Sequence, residues 1–126
     1  MSVVSIEKIL NRARELEKGK EELLEINIKS LDGSIKVKKI SRMEYLDILN
    51  SESEDKDAET IYNTCIDPKL SSDEILTTLS CTENPESVVN KIFTHAEKTS
   101  IVELILEESG ISGKNLISKV VEDIKK

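Results

Sequence analysis

Residues Asn84–Gly110, NPESVVNKIFTHAEKTSIVELILEESG, decide the fold. The stretch opens with helix-start chemistry: Asn84 as an N-cap, Pro85 at the first helical position and Glu86 as an acid in the first turn. Val88, Val89, Ile92 and Phe93 follow at the i, i+1, i+4, i+5 spacing of one helix face. Ile101, Val102, Leu104, Ile105 and Leu106 form a denser apolar set, which stops at Ser109-Gly110. There glycine can take the left-handed C′ conformation while Ile111 folds back on the helix. Thr94 and Glu97 stand three apart, the spacing of a capping box, and predict a break near Thr94. Two helices are therefore expected, with one continuous helix as the alternative. A helix that is apolar around so much of its circumference has to be covered on more than one side, so this stretch is expected to be scaffold.

Working outward, the remaining helices are shorter. After it, Leu116, Ile117, Val120, Val121 and Ile124 form a last amphipathic stripe ending on Lys125-Lys126. Before it, Ser71 and Glu74 have capping-box spacing ahead of Ile75, Leu76 and Leu79. Ala58, Ile61, Tyr62, Cys65 and Ile66 give a full helical stripe that Asp67-Pro68 ends, because the residue before proline is pushed out of the helical region. Ser51–Glu59 is strongly acidic and predicts a solvated, mobile loop at about 51–57. Ser41 and Glu44 open another helix, with Tyr45, Leu46 and Leu49 expected inward. Ile6, Ile9, Leu10, Ala13 and Leu16 make an N-terminal stripe, capped by Ser5 and closed at Lys18-Gly19-Lys20. Its two heptad-like steps, Ile6 to Ala13 and Ile9 to Leu16, are too few for a coiled coil, and it is expected to pack on its own domain, with an exposed or oligomerising helix as the alternative.

The strand signal lies at about residues 22–39. Leu24, Ile26 and Ile28 alternate with polar residues, Asp32-Gly33 is a hairpin turn, and Ile35 and Val37 alternate again. A two-residue loop would pair Ile28 with Val37 and set Lys29 opposite Lys36, with all five apolar side chains on one face. The fold class is therefore α+β and mostly α. It comprises an N-terminal helix, one antiparallel hairpin and five or six short amphipathic helices, in a single domain over residues 1–126.

Composition narrows function. The net charge is −7, and the imbalance lies in residues 51–126, which carry 16 acids against 8 bases. That disfavours nucleic acid and an anionic membrane as partners. Two tyrosines, one phenylalanine and no tryptophan leave no stacking platform for single-stranded nucleic acid. No apolar run approaches the roughly 18 residues of a membrane span, and no signal-peptide pattern precedes the first helix, so a cytoplasmic protein is expected. Cys65, Cys81 and His95 lack a fourth zinc ligand and any C-x-x-C spacing, and the acidic loop lacks the glycine an EF-hand turn requires. No phosphate loop, metalloprotease helix, nucleophile elbow or dinucleotide fingerprint occurs. No catalytic, metal or cofactor residue is assigned, and a non-enzymatic protein is expected.

The ordered features resemble a known family. Ile61-Tyr62-Asn63 leads to Asp67-Pro68-Lys69-Leu70; Cys81 is followed by Pro85 and Val88–Phe93; and Ser109-Gly110 closes the long apolar stretch. With the Asp-Gly hairpin running into IKVKKISRMEYLDIL, the series is similar to the XkdN-like tail assembly chaperones of contractile-tailed phages and phage-like particles. The resemblance implies a small chaperone in the host cytoplasm that coats the tape-measure protein, keeps it soluble and helps tail-tube subunits gather around it. It also implies absence from the finished particle, and homo-oligomerisation stays open. The expected contact surface is Leu116, Val120, Val121 and Ile124, with Ile101 and Ile105. The alternatives are a small tail or baseplate component retained in the particle, or a small regulatory binding module.

Overall fold

The structure is a computed structural model that describes residues 3–113 and Ile117. In chain order it comprises α1 (Ile6–Gly19), β1 (Leu23–Ile28), β2 (Gly33–Lys38), α2 (Arg42–Leu49) and α3 (Lys56–Thr64). There follow β3 (Cys65–Asp67), α4 (Asp73–Thr78), α5 (Val88–Ile92) and α6 (His95–Glu108). Short 3-10 turns lie at Lys29–Leu31 and Pro85–Ser87. This is the expected α+β, mostly α class, with a sheet larger than a hairpin.

The sheet is three-stranded and antiparallel, in the order β1-β2-β3. Its hairpin register differs from the expected one. Ile26 pairs with Ile35, Leu24 with Val37 and Ile28 with Gly33. The loop is four residues long: Lys29–Leu31 turn as a 3-10 segment and Asp32 takes the left-handed conformation (φ 48°, ψ 46°). Aspartate tolerates that region because its short carboxylate can bond locally. The slip relative to a two-residue loop is an even number of residues, so no side chain changes face. Ile26, Ile28, Ile35 and Val37 are all buried, as expected. The slip also places Glu25, not Lys29, opposite Lys36, which replaces the expected repulsion with opposite charges.

The third strand comes from a stretch read as helix. α3 stops at Thr64, and Cys65 turns to extended backbone (φ −70°, ψ 120°). Val37 pairs with Cys65 and Lys36 with Asp67, with an irregularity between them. Asp67-Pro68 is a cis bond, and Ile66, expected inward, is exposed on the edge strand. The helix ends earlier than its stripe suggests because Cys65–Asp67 pair with β2 instead.

The core is aliphatic. Val37, Ile61, Val88, Val89 and Ile105 are completely enclosed, and Ile40, Ile48, Leu70, Phe93, Ile101 and Val102 surround them. α3 lies at its centre, in contact with α2, α5, α6 and β2. Its two buried threonines return their hydroxyls to the helix: Thr60 Oγ1 donates to the Lys56 carbonyl and Thr64 Oγ1 to the Thr60 carbonyl, each at 2.8 Å. Both polar groups are thus satisfied without water. α6 ends as its sequence predicts. Gly110 has φ +76°, and the Ile111 N–H donates to the Leu106 carbonyl at 2.9 Å. The Ser109 hydroxyl then accepts from the Ile40 N–H at 3.0 Å, fastening the end of α6 to the segment after β2.

Other boundaries move by small amounts for local reasons. The break at Thr94 is present as a complete capping box with Glu97, and Ser41–Glu44 is another. The helix at Asp73 is capped by Ser72, whose hydroxyl accepts from the Ile75 N–H, so the expected Ser71–Glu74 box does not form. Asn84 makes no side-chain cap, and Pro85–Ser87 form a 3-10 turn before α5. α1 includes Gly19 and is capped by Lys20. In α2, Ile48 is the buried residue, Tyr45 is half-buried, and Leu46 and Leu49 are exposed.

Candidate protein-binding surface

Two helices of equal length, α1 and α6, end in opposite situations. On α6, Ile101 is 3% exposed and Ile105 0%. Both were expected to meet a partner. They are instead core residues, because α6 packs on α3 and β1 and uses its densest apolar side to do so. That assignment is withdrawn. The other four expected contact residues, Leu116, Val120, Val121 and Ile124, lie outside the described residues. Ile117, from the same stretch, is exposed.

α1 was expected to pack on its own domain, yet none of its residues is buried. Ile6 is 78% exposed, and Ile9, Leu10 and Leu16 lie between 51% and 56%. Val3 and Val4, just before it, are exposed as well. The helix itself is well formed. The Ser5 hydroxyl accepts from the Lys8 N–H at 3.2 Å, Glu7 sits in the first turn and Lys18 in the last. The sequence thus builds a capped amphipathic helix whose apolar side the described fold leaves in water. Scattered exposed leucines are ordinary, but an aligned stripe along one helix marks an interaction surface.

A second feature lies at the joint between α3 and α6. Lys98 is buried in the first turn and a half of α6. Its ammonium donates to Asp55 Oδ2 at 2.6 Å and to Asn90 Oδ1. The other oxygen of Asp55 accepts from the Ala58 N–H at 3.0 Å and so caps α3. Burial works to raise the Asp55 pKa, but the hydrogen bonds from Lys98, the Ala58 N–H and Asn90 together outweigh it and hold the carboxyl below its ordinary value. Sequence reading placed Asp55 in a mobile acidic loop and gave Lys98 no role. The signal that could have found the cap is local: Asp55 stands three residues before Ala58, the first residue of the apolar stripe.

The acidic segment itself is tied in. The Ser51 hydroxyl donates to Glu59 at 2.6 Å and accepts from Lys56 Nζ at 3.0 Å, and the Ser53 hydroxyl donates to the Asp55 carbonyl. Beside it lies a cleft of about 350 Å³ lined by Glu52, Glu54, Asp55, Asn84, Glu86 and Asn90, among others. Among the described residues, no group of three His, Cys, Asp or Glu is placed to hold a metal ion.

The remaining reactive groups are quiet. Cys65 and Cys81 are buried free thiols. Burial, reinforced by the nearby Asp67 carboxylate, pushes the Cys65 thiol up to about 11, so it stays protonated at neutral pH. His95 is exposed at the start of α6. Glu97 is held below the usual carboxylate range by the Ser30 hydroxyl, which donates to it at 2.5 Å, and by the Thr94 N–H. That contact ties the hairpin loop to the start of α6. No described helix is long and apolar enough to cross a membrane. Comparison with protein-family models, with curated proteins and with solved structures finds no match.

Proposed function

We propose that this protein is a non-enzymatic assembly chaperone whose client is a long amphipathic helical protein, the tape-measure protein of a contractile phage tail. The reading is supported by the resemblance of the ordered motifs, and an acidic domain with a closed aliphatic core and amphipathic helices is compatible with it. A domain of that design binds proteins through helix faces and keeps the complex dispersed by its charge. The client follows from the resemblance of the ordered motifs to the XkdN-like chaperones. A tape-measure chain exposes apolar stripes along its length before the tube closes around it, and such stripes aggregate unless covered.

The client contact is assigned to the C-terminal stripe, Leu116, Val120, Val121 and Ile124, without Ile101 and Ile105. The protein acts in the host cytoplasm and is left out of the finished particle; tail-tube subunits are a further partner. The test is co-expression with the tape-measure protein of the same genome. Soluble tape-measure protein should rise severalfold when the chain is present, and Val120→Asp should remove most of that gain with the fold intact. Equal recovery with and without the chain would sink the proposal. Mass spectrometry of purified particles then separates a chaperone from a retained tail component.

A further inference from the structure

The uncovered stripe of α1 has the spacing of a coiled-coil seam only two heptads long, too short for a stable coiled coil, so any pairing through it is weak. Ile6, Ile9, Ala13 and Leu16 follow one another at intervals of three, four and three residues. In heptad terms Ile6 and Ala13 are at a, Ile9 and Leu16 at d. All except Ala13 are large apolar side chains at least half exposed, and Ala13 is exposed too. Leu10 falls at e, beside the seam, and widens the apolar strip on one side.

The charges flanking the seam choose both the partner and its direction. Arg12 is at g and Glu17 at e of the following heptad, five residues on. In a parallel pair of identical helices, g of one chain meets that e of the other, so Arg12 faces Glu17 of the second copy, twice by symmetry. In an antiparallel pair with the apolar layers aligned, Arg12 would face Arg12 of the other copy. Within one chain both side chains are free to make the exchange. Arg12 lies 3.9 Å from Glu15 and Glu17 lies 3.4 Å from Lys20, but every partner in these pairs is at least 69% exposed. Such pairs hold a side chain only weakly.

We infer that α1 is a dimerisation helix, pairing in parallel with α1 of a second copy of this chain. The interface is small. About five apolar side chains a copy bury on the order of 400 Å² each side, half the ~800 Å² per partner of a standard interface. An interface of that size makes the dimer weak. β1 begins at Leu23, three residues after the C-cap Lys20, so a parallel pair sets both domains at the same end of the coil. The inference rests on α1 alone and is argued independently of the client contact proposed above.

Sedimentation equilibrium on the full chain, over a concentration range spanning the micromolar to millimolar region, tests it. The expected result is a reversible monomer–dimer equilibrium. Ile9→Glu should abolish the dimer without changing the circular dichroism of the monomer. Arg12→Glu and Glu17→Arg should each weaken it roughly threefold to tenfold, and the double exchange should restore it. Ile9→Cys should cross-link to itself under mild oxidation far faster than Glu15→Cys, which lies on the opposite side of the helix. A monomer at every concentration with α1 still helical overturns the inference. Equal cross-linking at positions 9 and 15, or no rescue by the double exchange, overturns the parallel pairing.

Discussion

α1 and α6 are both helices of 14 residues, each opened by a hydroxyl N-cap. α1 has the cleaner separation of apolar and charged sides, yet nothing of it is buried. α6 is apolar over more of its circumference and encloses Lys98, Ile101, Val102 and Ile105. The difference lies in what surrounds each in the chain's own fold. α6 meets α3 and β1, and it is held at both ends, by Ser30 on Glu97 and by Ile40 on Ser109. α1 is joined to the sheet by a short turn, with Lys39 near Glu22 at 4.0 Å as the ion pair beside that turn. A narrow stripe shows that a helix has a partner; a broad one shows that the partner surrounds it, and so belongs to the same core.

The comparison breaks most visibly with matched truncations. Ile105→Ala removes a fully enclosed side chain and should destabilise the domain by about 2–5 kcal/mol in urea unfolding. Ile9→Ala, measured at low micromolar concentration, should change stability by less than about 0.5 kcal/mol. A large cost at Ile9 in that measurement means that α1 docks on its own domain, and the contrast fails.

The next effect sharpens why α6 is fixed. Asp55→Asn removes the charge that Lys98 is buried against. One-sided loss of a buried pair costs about 3–5 kcal/mol, and Asp55 is about one-third exposed, so solvent screening reduces the expected loss to roughly 2 kcal/mol. The pH dependence has a definite sign. The folded-state pKa of Asp55 is lowered, so its contribution is fully present above the ordinary aspartate value and fades as pH falls through the lowered one. The difference in stability between wild type and Asp55→Asn should therefore shrink in acid, below about pH 4. A constant gap from pH 7 to pH 2 contradicts the ion pair as its source.

The smallest effect compares the caps. Thr94→Ala deletes the capping box of a helix that belongs to the core and should lower global stability by about 1 kcal/mol. Ser5→Ala deletes a cap of the same chemistry but should leave the global transition in place. It should show only as faster amide exchange in the first turn of α1, because that helix opens locally. Equal global losses at both sites would merge the two helices into one cooperative unit.

Much of the fold was legible in short-range signals. The boxes at Ser41 and Thr94, the cap at Ser5 and the left-handed Gly110 all depend on atoms within about one helical turn, and all are where the spacing puts them. The hairpin shows how far such signals reach. Alternation of Leu24, Ile26, Ile28, Ile35 and Val37 decides which face is buried, but any even slip keeps that face, so the register went to a four-residue loop. The site was less legible. Ile101 and Ile105 were expected to join the contact surface, and they are enclosed in the core instead.

What the sequence alone determined is therefore the α+β class, the starts of α1, α2 and α6, the stop of α6 and the inward set of the hairpin, because period, caps and turn residues act between near neighbours. What only the tertiary structure decided is coverage. It recruited Cys65–Asp67 as a third strand, joined Lys98 to Asp55 across 43 residues, closed α6 into the core and left α1 outside. Those outcomes depend on which distant surfaces fill one another's volume, and a residue's own neighbourhood in the chain carries no record of that.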